Sequence, residues 1–239
     1  MDTNDPIAAH LPVPTADRPL LGLTILVVED SRFACEAIRL LCLRSGARIR
    51  RADCLRSARR HLRVYRPSVL MVDFGLPDGN GLDLIAELSH ATPRVEVIIG
   101  MSGDQNTEAA ALIAGADGFI AKPFSTIAAF QERLLSLLPE ERRPSGPRRL
   151  DETPVVPDRI AYHDDIAHIA DVLEDPQNDL ALDYVAQFLT GVAHSAEDRS
   201  LENAARQLAS RRAQGQTAAS ETATLAAMIQ ERLAQKIAI

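Results

Sequence analysis

The chain has 239 residues, of which 46% are hydrophobic and 25% are charged, and its formal net charge is -7. These values are those of an ordinary globular protein, and no run of 18 apolar residues predicts a membrane span. Trp is absent and aromatic residues make up only 4%, which disfavours a stacking platform for single-stranded nucleic acid.

The N-terminal residues 1–21 are rich in proline and lack the basic head and apolar block of a signal peptide. We therefore expect a disordered leader over this range. Three cysteines (Cys35, Cys42 and Cys54) do not have the spacing of metal ligands, and unpaired cysteines are typical of a reducing cytoplasm. The sequence thus predicts a cytoplasmic location.

Five strand-like segments alternate with helical patterns between residues 22 and 138. The segments lie at 23–30, 48–53, 69–73, 95–101 and 119–121, and the helical patterns at 32–45, 55–65, 82–88, 107–114 and 125–138. Segment 48–53 is less apolar than the other four, so we expect it at an edge of the sheet. Short apolar runs bounded by turn residues are typical of buried strands, and the connections have the length of crossover helices. The pattern predicts an α/β fold, a doubly wound five-stranded parallel sheet.

Polar side chains stand at or just beyond the carboxyl ends of four of these strands. They are Glu29, Asp30, Asp73, Ser102 and Lys122. A single aspartate after a strand is usually a cap or turn residue. In a parallel sheet, however, all five side chains converge on one edge, where open α/β sheets place their ligands. We therefore predict a functional site at this edge.

With these residues in this order, the segment 22–138 resembles the response-regulator receiver domain of two-component signalling, a flavodoxin-like fold. The resemblance implies that Asp73 accepts a phosphoryl group from a histidine kinase or phosphotransfer protein. It also implies a Mg²⁺ ion held by Asp30, Asp73 and the backbone carbonyl of Gly75, with Glu29 acting mainly through water. Hard divalent cations do prefer such oxygen ligands.

The resemblance assigns further roles at the same edge. Lys122 neutralises charge on the phosphoryl group, Ser102 contacts it, and Phe119 changes rotamer as part of the switch. Receivers also position this lysine with a cis peptide, here the Lys122-Pro123 bond. Gly75 and Asp104 occupy positions that tune the lifetime of the phosphoryl group. Such a receiver is a signalling switch rather than a separate enzyme.

A basic region covers the second strand and the second helix. It contains Arg48, Arg50, Arg51, Arg56, Arg59, Arg60, Arg63 and Arg66. A solvated face is the simplest interpretation. Nucleic-acid binding needs such a patch, but the net acidity of the chain opposes it. A third hypothesis is a latch, in which this helix docks on the acidic C-terminal unit.

A proline-rich linker over 139–157 leads to a helical unit over 158–239. Residues 1–150 carry 19 Lys and Arg against 18 Asp and Glu, whereas residues 151–239 carry 7 against 15. Such an asymmetry indicates two units with different roles. Apolar stripes predict four helices, and about 80 residues of this kind form a marginal core. Homodimerisation and folding back onto the receiver are both consistent with that.

The sequence favours a response regulator whose helical unit acts by protein contact or oligomerisation on an unknown protein target. The alternative is a transcriptional regulator with a DNA-binding C-terminal module, although the unit lacks a strongly basic recognition helix. A third hypothesis is a phosphorelay through a C-terminal histidine. The candidates are His163, His168 and His194.

Overall fold

A computed structural model describes residues 12–124, 126–174 and 179–235. Most of the predicted leader, residues 1–11, lies outside this range. Within the described part of the chain, no helix has both the length and the apolar character that crossing a bilayer requires.

The first half of the chain is built on one parallel sheet. Its strands are Thr24–Val28 (β1), Arg48–Ala52 (β2), Val69–Asp73 (β3), Val97–Ser102 (β4) and Gly118–Ala121 (β5). Their order across the sheet is β2-β1-β3-β4-β5, and every neighbouring pair is parallel. This is the flavodoxin-like 2-1-3-4-5 order. The predicted fold class is confirmed.

Five helices connect and cover the strands. They are Arg32–Ser45 (α1), Leu55–Val64 (α2), Gly81–Ser89 (α3), Glu108–Ile113 (α4) and Ile127–Leu137 (α5). The boundaries of α1 follow from its caps: the Ser31 hydroxyl accepts a hydrogen bond from the Ala34 amide, and Gly46 ends the helix at a φ of 88°. Thus α1 begins directly after the acidic pair that follows β1.

Hydrophobic clusters on both faces of the sheet form the core. All five residues of β3 are buried, because this strand lies in the middle of the sheet and is covered on both sides. Side chains of Ile25 and Met71 point to one cluster, and those of Leu26 and Leu70 point to the other. The central strand is therefore a rigid support for the carboxylate at its end.

The structure corrects two boundaries drawn from proline content. Leu20 is fully buried and its amide donates to the Ser45 carbonyl at 2.9 Å, so the packed chain begins before residue 22. The segment 139–157 is also held in place, since Asp151 accepts a hydrogen bond from the Ala128 amide and Val155 packs on the core. This segment runs back along α5 and returns the chain to the carboxyl edge of the sheet.

The C-terminal unit consists of helices, as predicted. Their bounds are Arg159–Leu173 (α6), Asp179–Ser195 (α7), Arg199–Ala213 (α8) and Ala219–Ala234 (α9). A third hydrophobic cluster joins them, with Ile166, Leu189, Leu208 and Leu225 fully buried. The unit therefore has a core of its own.

A polar network ties three of these helices together at Asp198, the N-cap of α8. Arg232 of α9 binds both oxygens of this carboxylate, at 2.9 and 3.1 Å, and the Tyr162 hydroxyl of α6 donates at 2.9 Å. The side chain also accepts from the Leu201 amide. Burial is the largest single effect and opposes ionisation, but the hydrogen bonds from Arg232, the Leu201 amide, Ser200 and Tyr162 together outweigh it and lower the pKa of Asp198 well below its usual range.

We predict that Asp198→Ala lowers the free energy of unfolding of the helical unit by about 2 kcal/mol, because a helix cap and two charged hydrogen bonds are lost. Urea unfolding of the full chain measures this, with Asp171→Ala, an exposed position on α6, as the control. A carboxyl whose pKa is lowered by folding stabilises the fold at pH values above its pKa in the unfolded chain. That stabilisation is lost as the pH falls towards its pKa in the folded state. The difference should therefore shrink below about pH 4. An equal loss in both variants would contradict the role of the network.

Candidate functional site

The carboxyl ends of the parallel strands bring together the five polar residues predicted from the sequence. Glu29 and Asp30 follow β1, which pairs directly with β3, and Asp73 ends β3. Ser102 ends β4 and Lys122 follows β5. All five line one cavity.

Lys122 is at the centre of the charges in this cavity. Its ammonium nitrogen lies 2.8 Å from Asp73 Oδ1 and 3.0 Å from Glu29 Oε2. All three side chains are at most 10% exposed, so water screens these contacts weakly. The buried Lys122 ammonium group thus forms ion pairs with two buried carboxylates.

The environment raises the pKa of all three groups, for different reasons. Burial raises the pKa of Glu29 to about 8 and the pKa of Asp30 to about 7, and the neighbouring Asp73 carboxylate adds to both shifts. Burial alone would lower the pKa of Lys122, but Asp73 and Glu29 outweigh burial and raise it. The lysine is therefore charged, and among the described residues no second cationic side chain bonds to the carboxylates of Glu29 and Asp30.

Glu29, Asp30 and Asp73 form a set that fits a divalent cation. Carboxylate oxygens of the three side chains all lie within 4.8 Å of one another. Carboxylates with free space beside them are the ligand type that Mg²⁺ prefers, since Mg²⁺ keeps several of its waters. A bound cation would also relieve the repulsion among the three carboxylates.

Two glycines shape the loop that follows Asp73. The Gly75 amide donates to Asp73 Oδ2 at 3.0 Å, within a short hairpin that pairs Gly75 with Asn80. A methyl group on Gly81 would overlap the Asp73 carbonyl oxygen. Only a residue without a side chain lets α3 begin this close to the site.

The two residues predicted to act as a switch have different surroundings. The Ser102 hydroxyl is half-buried, lines the cavity and accepts from the Asp104 amide at 3.1 Å. Phe119 is 6% exposed and packs in the hydrophobic cluster beside Phe74, with ring centroids 6.0 Å apart. The Lys122-Pro123 peptide is cis, as expected.

The helical unit docks on the first turn of α1 through Asp165 of α6, which sequence reasoning did not single out. Its carboxylate accepts hydrogen bonds from the Ser31 hydroxyl at 2.7 Å, the Arg32 amide at 2.8 Å and the Phe33 amide at 3.0 Å. It is only 2% exposed, and burial raises its pKa despite these three bonds. The latch hypothesis therefore named the wrong receiver surface, because the docking runs through α1 rather than α2.

Helix α7 lies along the edge of the candidate site. The Tyr184 hydroxyl donates to Asp30 Oδ2 at 2.8 Å, and the Gln187 side chain lies against Gly75. One turn further along α7, the Cα of Gly191 would lie 3.9 Å from a methyl group placed on Gly103 of the receiver. The cavity above Asp73 has a volume of about 1080 Å³ and is lined by both units. Residues of the helical unit thus belong to the site.

Comparison with known proteins gives a family match for the first half of the chain. The family model of the response regulator receiver domain matches residues 25–134. These residues form a receiver domain. The match includes Glu29, Asp30, Asp73, Ser102 and Lys122, and it ends before the helical unit.

Several curated proteins are similar over the same region. The KDP operon transcriptional regulatory protein KdpE of Escherichia coli is 30% identical over 110 residues, or 46% of this chain and 48% of KdpE. The virulence transcriptional regulatory protein PhoP of Salmonella typhimurium is 32% identical over 126 residues, or 52% of this chain and 54% of PhoP. The chain spans about half the length of these relatives.

Solved structures similar to the chain cover about the same half. One is a putative response regulator from Chloroflexus aurantiacus, 25% identical, which matches 48% of this chain and 96% of its own with a TM-score of 0.46. Another is the receiver domain of a Francisella response regulator, 21% identical, with a TM-score of 0.44 and coverage of 48% and 95%.

We predict that Asp165→Ala weakens the docking of the helical unit by about 2 to 3 kcal/mol, because three donors, two of them in buried bonds, lose a charged acceptor. The neighbouring variant Asp164→Ala is the control: it removes only an exposed ion pair with Arg32, and such pairs contribute little. Small-angle scattering of both full-length variants measures the result. A larger radius of gyration is expected for Asp165→Ala alone, and no expansion would mean that Asp165 does not hold the units together.

Proposed function

We propose that this protein is a response regulator in which Asp73 accepts a phosphoryl group from the phosphohistidine of a histidine kinase or phosphotransfer protein. The observation that carries the proposal is the placement of the Asp73 carboxylate. It lies at the end of the central strand, 2.8 Å from the Lys122 ammonium and beside the two other carboxylates of the site. A nucleophile, a charge-neutralising cation and a set of metal ligands are thus present together.

The reaction needs little covalent chemistry from the protein. An Asp73 oxygen attacks phosphorus, an O–P bond forms, the N–P bond of the phosphohistidine breaks, and the imidazole leaves. Ionised Asp73 needs no general base, so positioning and charge neutralisation account for the catalysis. Lys122 can bind a phosphoryl oxygen, and the Gly75 amide orients the other carboxylate oxygen.

A Mg²⁺ ion is part of the proposal. Asp30, Asp73 and the Gly75 carbonyl would be ligands, with Glu29 acting mainly through water, and the ion when bound neutralises charge on the phosphoryl oxygens. In the ranges that the structure describes, the site combines three carboxylates with one lysine, so a bound cation would balance their charge. Receiver membership and this charge balance support the assignment.

The output is proposed to pass through the helical unit by protein contact or by oligomerisation. Its docking on α1 and on the edge of the site supports this, because α7 bonds to Asp30 and lies against Gly75, two neighbours of Asp73 in the site. Three arginines of α8 form ion pairs with acidic residues: Arg206 with Glu202, Arg211 with Glu221 and Arg212 with Asp183.

We propose that this switch acts in the cytoplasm.

DNA binding is the second candidate function, because the names of the curated relatives describe transcriptional regulators. The receiver would then control a C-terminal helical module that binds nucleic acid, and the exposed arginines of α2 in the receiver would be a further contact surface. A titration with nonspecific duplex DNA at two salt concentrations separates the candidates, since phosphate contacts make affinity fall steeply with salt. Salt-dependent binding would favour the second function, and no binding at low salt would favour protein contact.

We predict that wild-type protein with Mg²⁺ gains one phosphoryl group from acetyl phosphate, a small acyl-phosphate donor, and that Asp73→Asn gains none because it lacks the nucleophile. Intact-mass measurement checks this, and light scattering with and without beryllofluoride tests whether the phosphoryl mimic changes the oligomeric state. Asp78→Asn, with a carboxylate that caps α2, is a matched control and should behave as wild type. Phosphorylation of Asp73→Asn would show that the acceptor lies elsewhere.

A further inference from the structure

The side-chain amide of Gln187 is brought by the helical unit to the loop beside Asp73. A methyl group placed on Gly75 would lie 2.6 Å from the Gln187 Cδ and would overlap its amide nitrogen. Gly75 is the residue whose own amide donates to Asp73 Oδ2. The Gln187 amide therefore fills the space left free at Gly75, next to the acceptor carboxylate.

This amide has unused hydrogen-bonding groups. Among the residues that the structure describes, no hydrogen bond to the Gln187 side chain is formed, and the side chain is exposed where it lines the cavity above Asp73. A glutamine amide offers two donors and one acceptor oxygen. It can therefore bind a water molecule inside the cavity.

A water held in this cavity is placed for one reaction of a phosphorylated Asp73. Hydrolysis of an acyl phosphate requires water to approach phosphorus opposite the bond to the carboxylate oxygen, and the cavity that Asp73 and Gln187 both line has room for such a water. In phosphoryl-transfer sites a side-chain amide can orient the attacking water, so that little entropy is lost at the moment of reaction. Gln187 has such a side-chain amide and lines the cavity that Asp73 also lines.

We propose that Gln187 positions the water that hydrolyses the aspartyl phosphate, so that the helical unit gives the chain its own phosphatase activity. The inference rests on the proposed phosphorylation of Asp73. The water oxygen forms a bond to phosphorus and the Asp73 O–P bond breaks. The water proton passes to the released phosphate or to solvent, and the ionised carboxylate is regenerated. No further reactant is needed.

The contacts that fix α7 explain how one flexible side chain is held at the site. Tyr184, one turn before Gln187, is bonded to Asp30, and Asp165 on α6 is bonded to the first turn of α1. The first bond fixes α7 one turn before the amide, and the others fix the neighbouring helix α6. Undocking the unit would therefore remove the amide from Asp73 without altering the receiver itself.

The test measures formation and hydrolysis of the aspartyl phosphate separately. Full-length protein with Mg²⁺ is phosphorylated with acetyl phosphate, the donor is removed, and the loss of the added mass is followed. For Gln187→Ala we expect hydrolysis to slow by about tenfold to a hundredfold, because the attacking water is no longer held in position. Formation should be unchanged, because transfer from acetyl phosphate to Asp73 uses no water. A general structural defect would slow both steps.

Two further variants complete the test. Gln214→Ala makes the same substitution at an exposed glutamine beyond α8 and should hydrolyse at the wild-type rate. Asp165→Ala should slow hydrolysis as Gln187→Ala does, and the double variant should be no slower than either single variant. Hydrolysis in Gln187→Ala that equals or exceeds the wild-type rate would overturn the proposal. Failure of wild-type protein to take up a phosphoryl group would instead overturn the proposed function, and this inference with it.

Discussion

One buried carboxylate, that of Asp165, joins the two units of this chain. The first-turn amides of a helix have no partner within the helix, and the helix dipole favours a negative charge beside them. Asp165 satisfies two of these amides on α1 together with the Ser31 hydroxyl. Because α1 begins directly after Glu29 and Asp30, this contact sets the helical unit at the edge of the acidic site. The positions of Tyr184 and Gln187 depend on it.

The result is a site to which both units contribute. The receiver provides the Asp73 carboxylate, the lysine and the other carboxylates that fit a cation, all at strand ends. The helical unit provides a hydroxyl on Asp30 and an amide beside Gly75. An aspartyl phosphate at position 73 would carry about two negative charges where the carboxylate carries one, in a cavity whose other wall is α7 and α8. The chemical state of the receiver and the placement of the helical unit are therefore coupled through direct contacts.

Much of the receiver could be predicted from the sequence. In a parallel sheet all strands end at the same edge, so residues that follow different strands in the sequence lie close together in the fold. Apolar runs that end in Glu29, Asp73 or Lys122 specify both the strands and the edge where these side chains meet. The docking surface could not be predicted. Asp165 is one of several acidic residues on α6, and nothing in the sequence pattern distinguishes it from the neighbouring Asp164. Only the packing of α6 on α1 shows which carboxylate is buried. Proline content also misplaced the domain boundary, since Leu20 packs into the core.

The docking of the two units is the central claim of this account, and hydrogen exchange of the Arg32 and Phe33 amides tests it most directly. First-turn amides of an exposed helix exchange rapidly, because nothing within the helix accepts their hydrogen bonds. In this protein both amides donate to Asp165, at 2.8 and 3.0 Å. The account predicts that nuclear magnetic resonance of the full-length wild-type protein finds both amides strongly protected. Exchange at the rate of unprotected amides would contradict it.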